Sequence, residues 1–344
     1  MNILSLFDGM CCGRISLDRA GIKVDKYYAS ELDKYAITVT QANWPNTIQL
    51  GDVTKWREWD IDWPSIDLLI GGSPCQGFSF AGKQLAFDDP RSALFFEYLN
   101  ILNHIKSVNP KVKFLLENVR MKKEYLDLIS SFLKVEPVFI NSELVSAQCR
   151  KRYYWANWEF MAPKDKKLVL SSIIEEGFVD REKSRAVIAS VGRTTYREYF
   201  KKNQGQLVFN KDVTGIKCVN PRTGDRQTYQ QDRIYETSGK MVSLTSSLGG
   251  RFNICEPEIK SGARRSRGDE VRSDEKANAL LADGHQSRWL AKDNIFYRKL
   301  TPVECERLQT VPDDYTNHVS NSQRYKMIGN GWTIDVIAHI FKGI

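Results

Sequence analysis

The first 160 residues alternate short apolar runs with amphipathic stretches, and that rhythm restricts the fold more than any other feature of the chain. Residues 2–7 (NILSLF), 26–30 (KYYAS), 47–50 (TIQL), 67–71 (DLLIG), 113–117 (KFLLE), 138–140 (VFI) and 153–156 (YYWA) read as strands. Between them, 33–43, 94–108 and 123–133 carry apolar residues at helical spacing. Strands that alternate with helices pair in parallel, because each crossover helix returns the chain to the same end of the sheet. The expectation is an α/β chain with a mainly parallel, doubly wound sheet. Such sheets bind ligands outside the carboxyl ends of their strands. Phe7, Glu31, Gly51 and Gly72 fall at those ends.

After Trp158 the rhythm changes. Residues 160–297 are richer in Gly, Ser, Thr, Arg and Lys, with short β-like runs at 206–209, 215–219 and 241–244. This predicts a second, smaller and less regular domain over 160–297, with 1–159 and 298–344 forming the first. Two stretches, 240–253 and 276–289, are loosely alike. A compact pattern resumes at Arg298, with one helix opening at Pro302 and a last one over 331–344.

Charge separates the same two regions. The net charge is +8, and residues 162–297 hold 25 Lys+Arg against 18 Asp+Glu. A basic segment suits a polyanion, since Lys and Arg release counterions from phosphates. A solvated basic surface is the other reading. No apolar run approaches the roughly 20 residues of a membrane span. Asp8 interrupts the only apolar stretch near the N-terminus, so no signal peptide is read. Seven cysteines, an odd number, suggest reduced thiols in a cytoplasm.

Three short segments carry chemistry. Gly71-Gly72-Ser73-Pro74-Cys75-Gln76-Gly77 follows an apolar strand, which puts the Cys75 thiol on a tight turn at the binding edge. Amides and cations there would favour a thiolate, although a small buried cysteine is the other reading. Glu117, directly after the run 114–116, brings a carboxylate to the same edge, where it can hold a proton, bind a base edge or cap a helix. Arg150 and Arg152 alternate in a β-like segment, so both guanidiniums should face one side and hold a phosphate or a base. A charged edge strand would read the same way.

In this order and spacing, Pro74-Cys75-Gln76, Glu117-Asn118-Val119 and Gln148-x-Arg150-x-Arg152 resemble the cytosine-C5 DNA methyltransferases of bacteria and phages. The resemblance covers about 1–158 and 298–344. It extends to Phe7-Asp8-Gly9, Ser30-Glu31, Gly51-Asp52-Val53 and 91–98 on the family's cofactor side, and to 298–315 and 323–332 among its closing motifs. It implies a Rossmann-like S-adenosylmethionine-dependent fold. The catalytic residues would be Cys75, Glu117, Arg150 and Arg152. Cys75 would attack carbon 6 of a flipped cytosine, Glu117 would hydrogen-bond N3 and the amino group, and Arg150 would steady the base.

The resemblance also implies a cofactor site built from Phe7, Asp8, Gly9, Glu31, Leu32, Asp52, Val53, Leu94 and Asn330. Glu31 would take the ribose hydroxyls and Asp52 the adenine amino group. Residues 77–89 would close over double-stranded DNA, which 160–297 would read. No metal or membrane partner is implied, and a monomer is expected. The chain departs from the family's pattern at Cys11-Cys12, where two glycines are common, and at Gly331-Trp332, where Ser-Val is common. A transfer-RNA methyltransferase of the same branch and a catalytically silent DNA-binding relative remain alternatives. A nicotinamide dehydrogenase is excluded, because no GxGxxG follows the first strand.

Overall fold

A computed structural model describes residues 1–73, 93–195, 199–200, 204–211, 252–254, 259–261, 270–272, 288–291 and 295–344. Cys75 and the expected closing loop lie outside these residues, as do the β-like runs 215–219 and 241–244.

Contacts divide the chain into two compact units. The first comprises 1–173, 182–193 and 302–344; the second comprises 174–181 and 194–301. The composition change at 159/160 therefore precedes the contact boundary. Residues 160–173 and 182–193 pack with the first unit, and 298–301 with the second.

The first unit is built on a seven-stranded sheet. Its strands are β1 (Asn2–Leu6), β2 (Lys26–Ser30), β3 (Ile48–Gln49), β4 (Leu68–Gly71), β5 (Lys113–Val119), β6 (Val138–Asn141) and β8 (Lys151–Ala156), in the order β3-β2-β1-β4-β5-β8-β6. The first five are parallel, while β8 runs antiparallel to β5 and β6. All seven runs read from the sequence are in this sheet.

Alternation within the strands explains why both faces are covered. On β1, Leu4 and Leu6 join one core with Leu69, Phe114 and Leu116. Ile3 joins the other with Tyr27, Leu68, Ile70 and Leu115. Helices α3 (Ala93–Val108) and α4 (Lys123–Leu133) supply Phe95, Tyr98, Ile101, Ile129 and Leu133 to the first core. Helices α1 (Cys12–Arg19) and α7 (Ile334–Phe341) supply Leu17, Val336, Ile337 and Ile340 to the second. The last helix thus starts later than residue 331, with Thr333 at its N-cap.

Helix α2 (Lys34–Asn43) starts where Asp33 Oδ1 accepts the Tyr35 amide at 3.0 Å. Helices α5 (Pro302–Leu308) and α6 (Asn321–Asn330) bring the chain back to the sheet. They are tied by a buried pair, Arg324 Nη2 and Glu306 Oε1, 3.2 Å apart. The Glu306 carboxylate also accepts the Asp314 and Thr316 amides, both at 2.8 Å. A two-residue ladder joins β7 (Gln148–Cys149) to β9 (Ser184–Arg185).

The second unit contains a six-stranded sheet ordered β10-β15-β14-β11-β12-β13, built from Leu207–Lys211, Ile295–Lys299, Arg288–Ala291, Phe252–Ile254, Ile259–Ser261 and Glu270–Arg272 respectively. Within it β11 and β14 are parallel and the other pairs antiparallel. The two loosely similar stretches end on these parallel strands, where Asn253 and Trp289 are register partners. Among the described residues no helix is long and apolar enough to cross a membrane.

Candidate active site

The site grows from the carboxyl ends of β1, β2, β4 and β5. Beyond β1 the chain turns sharply: Phe7, Gly9 and Cys11 all have positive φ, at 57°, 61° and 66°. Glycine takes that conformation without strain, whereas Phe7 and Cys11 are held there by their surroundings. Cys11 is fully buried, and its backbone amide donates to the Asp8 carbonyl at 3.2 Å. Gly13 lies against β4 and β2; a Cβ there would come within 2.3 Å of Ile70 Cδ1 and 2.7 Å of the Tyr27 hydroxyl. The close approach that two adjacent glycines would serve is provided here by Gly13 alone.

Glu31, just past β2, fastens this turn. Its Oε2 accepts the Gly9 amide at 2.7 Å, and its Oε1 accepts the amides of Leu32 at 2.8 Å and Asp33 at 2.7 Å. A carboxylate offers about four lone-pair sites, so one remains for a ligand hydroxyl. Asp8 lies beside it. Its Oδ1 accepts the Tyr27 hydroxyl at 2.7 Å, while its Oδ2 is buried without a partner among the described residues. Burial raises the Asp8 pKa from 3.8 to about 6; hydrogen bonds from the Ser5 and Tyr27 side chains oppose the rise, and the Glu31 charge adds to it.

These residues line a solvent-open pocket with about 480 Å³ of free space, bounded by Asp8, Gly9, Cys12, Glu31, Asp33, Ala36, Met327, Asn330, Gly331 and Trp332. The wall carries three carboxylates, of which Asp33 is paired with Lys326 Nζ at 2.7 Å, while Asp8 and Glu31 have no cationic partner among the lining residues. An orphaned buried oxygen within an acidic wall fits a ligand that brings positive charge and hydroxyl groups. Of the residues read from the sequence, the pocket gathers Asp8, Gly9, Glu31 and Asn330.

The other five are not part of this wall. Phe7 and Leu94 pack against the core beneath β1 and β4, and Val53 is buried in it. Asp52 caps a short 3-10 helix over Val53–Glu58, its Oδ1 accepting the Thr54 amide and hydroxyl, both at 2.9 Å. The Thr54 amide, followed by the hydroxyl, holds this carboxyl below its ordinary value. Leu32 is 69% exposed, an unusual position for a large apolar side chain.

Six wall residues were not assigned to the donor from the sequence: Asp33, Ala36, Cys12, Met327, Gly331 and Trp332. The first two follow Glu31 on the cap and first turn of α2, which was the available signal. Met327 and Trp332 arrive from a segment about 300 residues away; both lie in 323–332, which the resemblance placed among the closing motifs, but neither was assigned to the donor. Cys12 also lines the wall. Burial pushes its thiol up to about 12, and pushes that of Cys11 well above its ordinary value. Both remain protonated near neutrality and serve packing.

Beyond the pocket stands a second group. Glu117, near the end of β5, is 8% exposed, and its Oε1 lies 2.7 Å from Arg152 Nε. A Cβ on Gly72 would sit 3.0 Å from Trp332 Nε1 and 3.1 Å from Glu117 Oε2. Gly72 thus marks where the pocket wall meets the carboxylate, and its missing side chain leaves room for both. Next to it, the Ser73 hydroxyl accepts Asn118 Nδ2 at 3.3 Å. The residue two before Cys75 is therefore anchored to the strand that carries Glu117.

The two arginines have different partners. Arg150 lies between β7 and β8. Its Nη1 donates to the Val187 carbonyl at 2.8 Å, and its Nη2 to those of Gly329 at 3.3 Å and Gly331 at 2.9 Å. Burial lowers its pKa to about 9, with the Arg152 charge contributing, so it remains a cation at neutral pH. Arg152, on β8, is the arginine that meets Glu117.

Comparison with known proteins shows the family. The C-5 cytosine-specific DNA methylase family matches residues 1–131 and 141–344. Among characterised relatives, the type II methyltransferase M.HhaI of Haemophilus parahaemolyticus is 27% identical over 99% of this chain and 93% of its own length. The orphan methyltransferase M.SPRI of Bacillus phage SPR is 25% identical over 99% and 97%. M1.ScrFI of Lactococcus lactis subsp. cremoris is 28% identical over 97% and 75%. Two solved structures share the fold. Spodoptera frugiperda DNMT2, solved as a mutant, has a TM-score of 0.57 at 20% identity over 99% of this chain and 98% of that one. Entamoeba histolytica EhMeth has a TM-score of 0.59 at 13% identity over 99% and 97%. The chain therefore belongs to the C-5 cytosine-specific DNA methylases, the DNA (cytosine-5-)-methyltransferases, whose methyl donor is S-adenosylmethionine.

Proposed function

We propose that this protein methylates carbon 5 of a cytosine flipped out of a specific duplex DNA sequence, with Cys75 as the nucleophile and the acidic pocket as the donor site. The observation that carries the reading is the Asn118–Ser73 hydrogen bond beside the Glu117–Arg152 pair. It anchors Ser73, two residues before Cys75 in sequence, next to a carboxylate and a cation, at the sheet edge where the pocket opens. The donor, when bound, supplies an activated methyl group on a positively charged sulfur. Asp8 and Glu31 would favour that charge and the donor's ammonium, while the remaining lone pair of Glu31 would accept a ribose hydroxyl. The family resemblance would add Leu32, Asp52, Val53, Leu94 and Phe7 on the side of an adenine ring.

Carbon 5 of cytosine is a weak nucleophile. Addition of the Cys75 thiolate to carbon 6 pushes electron density through the ring and makes carbon 5 reactive. Glu117 hydrogen-bonds N3 and the exocyclic amino group, where charge accumulates. Arg152 holds the Glu117 carboxylate in that orientation. After methyl transfer, loss of the carbon 5 proton expels Cys75 and restores the aromatic ring. A stacked base is out of reach of these groups, and unstacking it costs a few kcal/mol, returned by pocket contacts.

The second unit, with the excess of basic residues in 162–297, would bind the DNA backbone and read the sequence. The names of the type II and phage relatives suit a restriction-modification or phage DNA-protection role. Bisulfite sequencing of DNA from cells expressing the protein tests the reading. Full protection of cytosine at one recurring sequence is expected. Unmodified DNA alongside modified transfer RNA would refute it.

A further inference from the structure

We propose that Arg150 is a positioning residue of the donor pocket, holding residues 329–332 in place, rather than a contact to the flipped base. The assignment rests on the reading of the pocket given above. Residues 330–332 supply Asn330, Gly331 and Trp332 to the pocket wall, and they follow directly from the C-terminal end of α6. The last carbonyls of a helix have no intrahelical partner, and a cation there is favoured by the helix dipole. Arg150 Nη2 donates to one such carbonyl, that of Gly329, and to the carbonyl of Gly331, the C-cap residue. Gln309 Nε2 reinforces the hold, donating to the Ile328 carbonyl at 2.9 Å and the Gly331 carbonyl at 3.2 Å.

The other end of the clasp is anchored as firmly. Arg150 Nη1 donates to the Val187 carbonyl, while the Val187 amide donates to Gln148 Oε1 at 3.0 Å. Gln148 Nε2 in turn donates to Gln309 Oε1 at 2.8 Å and to the Leu308 carbonyl at 2.6 Å. The intervening chain is in direct contact: a Cβ on Gly329 would come within 2.2 Å of the Ala189 amide nitrogen. Gln148 and Arg150 thus lock 187–189 against 329–331, and through that segment they set the positions of Asn330 and Trp332. Arg152, two residues on, faces Glu117. One short motif serves both halves of the site, the glutamine and first arginine on the donor side and the second arginine on the base side.

Titration calorimetry with S-adenosylmethionine tests this on the full chain without turnover. Arg150→Lys keeps the charge and loses the planar fork that spans two carbonyls. The expected result is a donor Kd raised about tenfold, equivalent to about 1.4 kcal/mol, in a protein that remains folded. In steady state the donor KM should rise by more than kcat falls, with the KM for DNA unmoved. Arg152→Lys should give the opposite split, with kcat lost and donor Kd retained. Should Arg150→Lys fail to fold, Gln309→Met removes the second donor to the Gly331 carbonyl and carries the same expectation. An unchanged donor Kd, or a loss confined to kcat, overturns the assignment. Failure of the unsubstituted protein to bind donor would overturn the reading of the pocket, and this assignment with it.

Discussion

Asp8→Asn should remove most of the pH dependence that the donor pocket imposes on folding between pH 4 and pH 7. Asp8 is 8% exposed, and burial lifts its pKa from 3.8 to about 6. At about 1.4 kcal/mol per pH unit, that rise corresponds to roughly 3 kcal/mol. Below about pH 4 the carboxyl is protonated in both states and contributes nothing. Between about pH 4 and pH 6 the unfolded chain ionises first, so stability falls as pH rises. Above about pH 6 the full penalty is in place. Asparagine keeps an acceptor for the Tyr27 hydroxyl but buries an amide with no partner, at a cost of about 1–3 kcal/mol that does not vary with pH. The change with pH is therefore the readout. In urea unfolding series at matched pH values, asparagine should gain on aspartate by about 3 kcal/mol between pH 4 and pH 7. Parallel stability curves would refute the assignment of a buried, strained carboxylate.

The same carboxyl should respond to ligand. A cationic donor favours the ionised form, so below about pH 6 donor binding should release close to one proton, seen by calorimetry in buffers of different ionisation enthalpy, and Asp8→Asn should release none. Arg324→Met leaves the Glu306 carboxylate buried without its cation. It should cost about 3–5 kcal/mol, measured as a large fall in Tm. Gly13→Ala drives a methyl group into Ile70 and the Tyr27 hydroxyl. It should cost about 1–3 kcal/mol and weaken donor binding, because the turn containing Gly9 and Cys12 must move. Asp52→Ala should raise the donor Kd more than it slows transfer. An unchanged Kd would remove Asp52 from the donor site.

The sheet was legible because its signal is local and repeated. Each of the seven strands is a short apolar run bounded by polar or turn residues, and alternation along β1 commits Ile3 to one face and Leu4 to the other. Glu31 was legible for the same reason, since it directly follows a buried strand and emerges at the edge, whereas Glu117 lies within β5, which runs on to Val119. The contacts of Arg150 were not legible, because periodicity says nothing of partners far away in sequence, here the carbonyls of 187, 329 and 331. Trp332 and Met327 were missed for a similar reason, as they reach the pocket only through a chain return fixed by Gln148, Arg150 and Gln309. The unit boundary also escaped composition. Residues 182–193 have the polar character of the second region, yet they pack on the first through Gln148, Arg150 and Gly329.

The central claim is that a cysteine sulfur adds to the cytosine ring, and trapping that bond tests it most directly. Duplex DNA carrying 5-fluorocytosine at the recognised position would be incubated with protein and S-adenosylmethionine. Fluorine at carbon 5 cannot leave as a proton does, so the enzyme should remain attached through Cys75, giving a denaturation-resistant complex that maps to the peptide containing Cys75 and is absent from Cys75→Ser. Normal methyl transfer by Cys75→Ser, or an adduct at a different residue, would contradict the account.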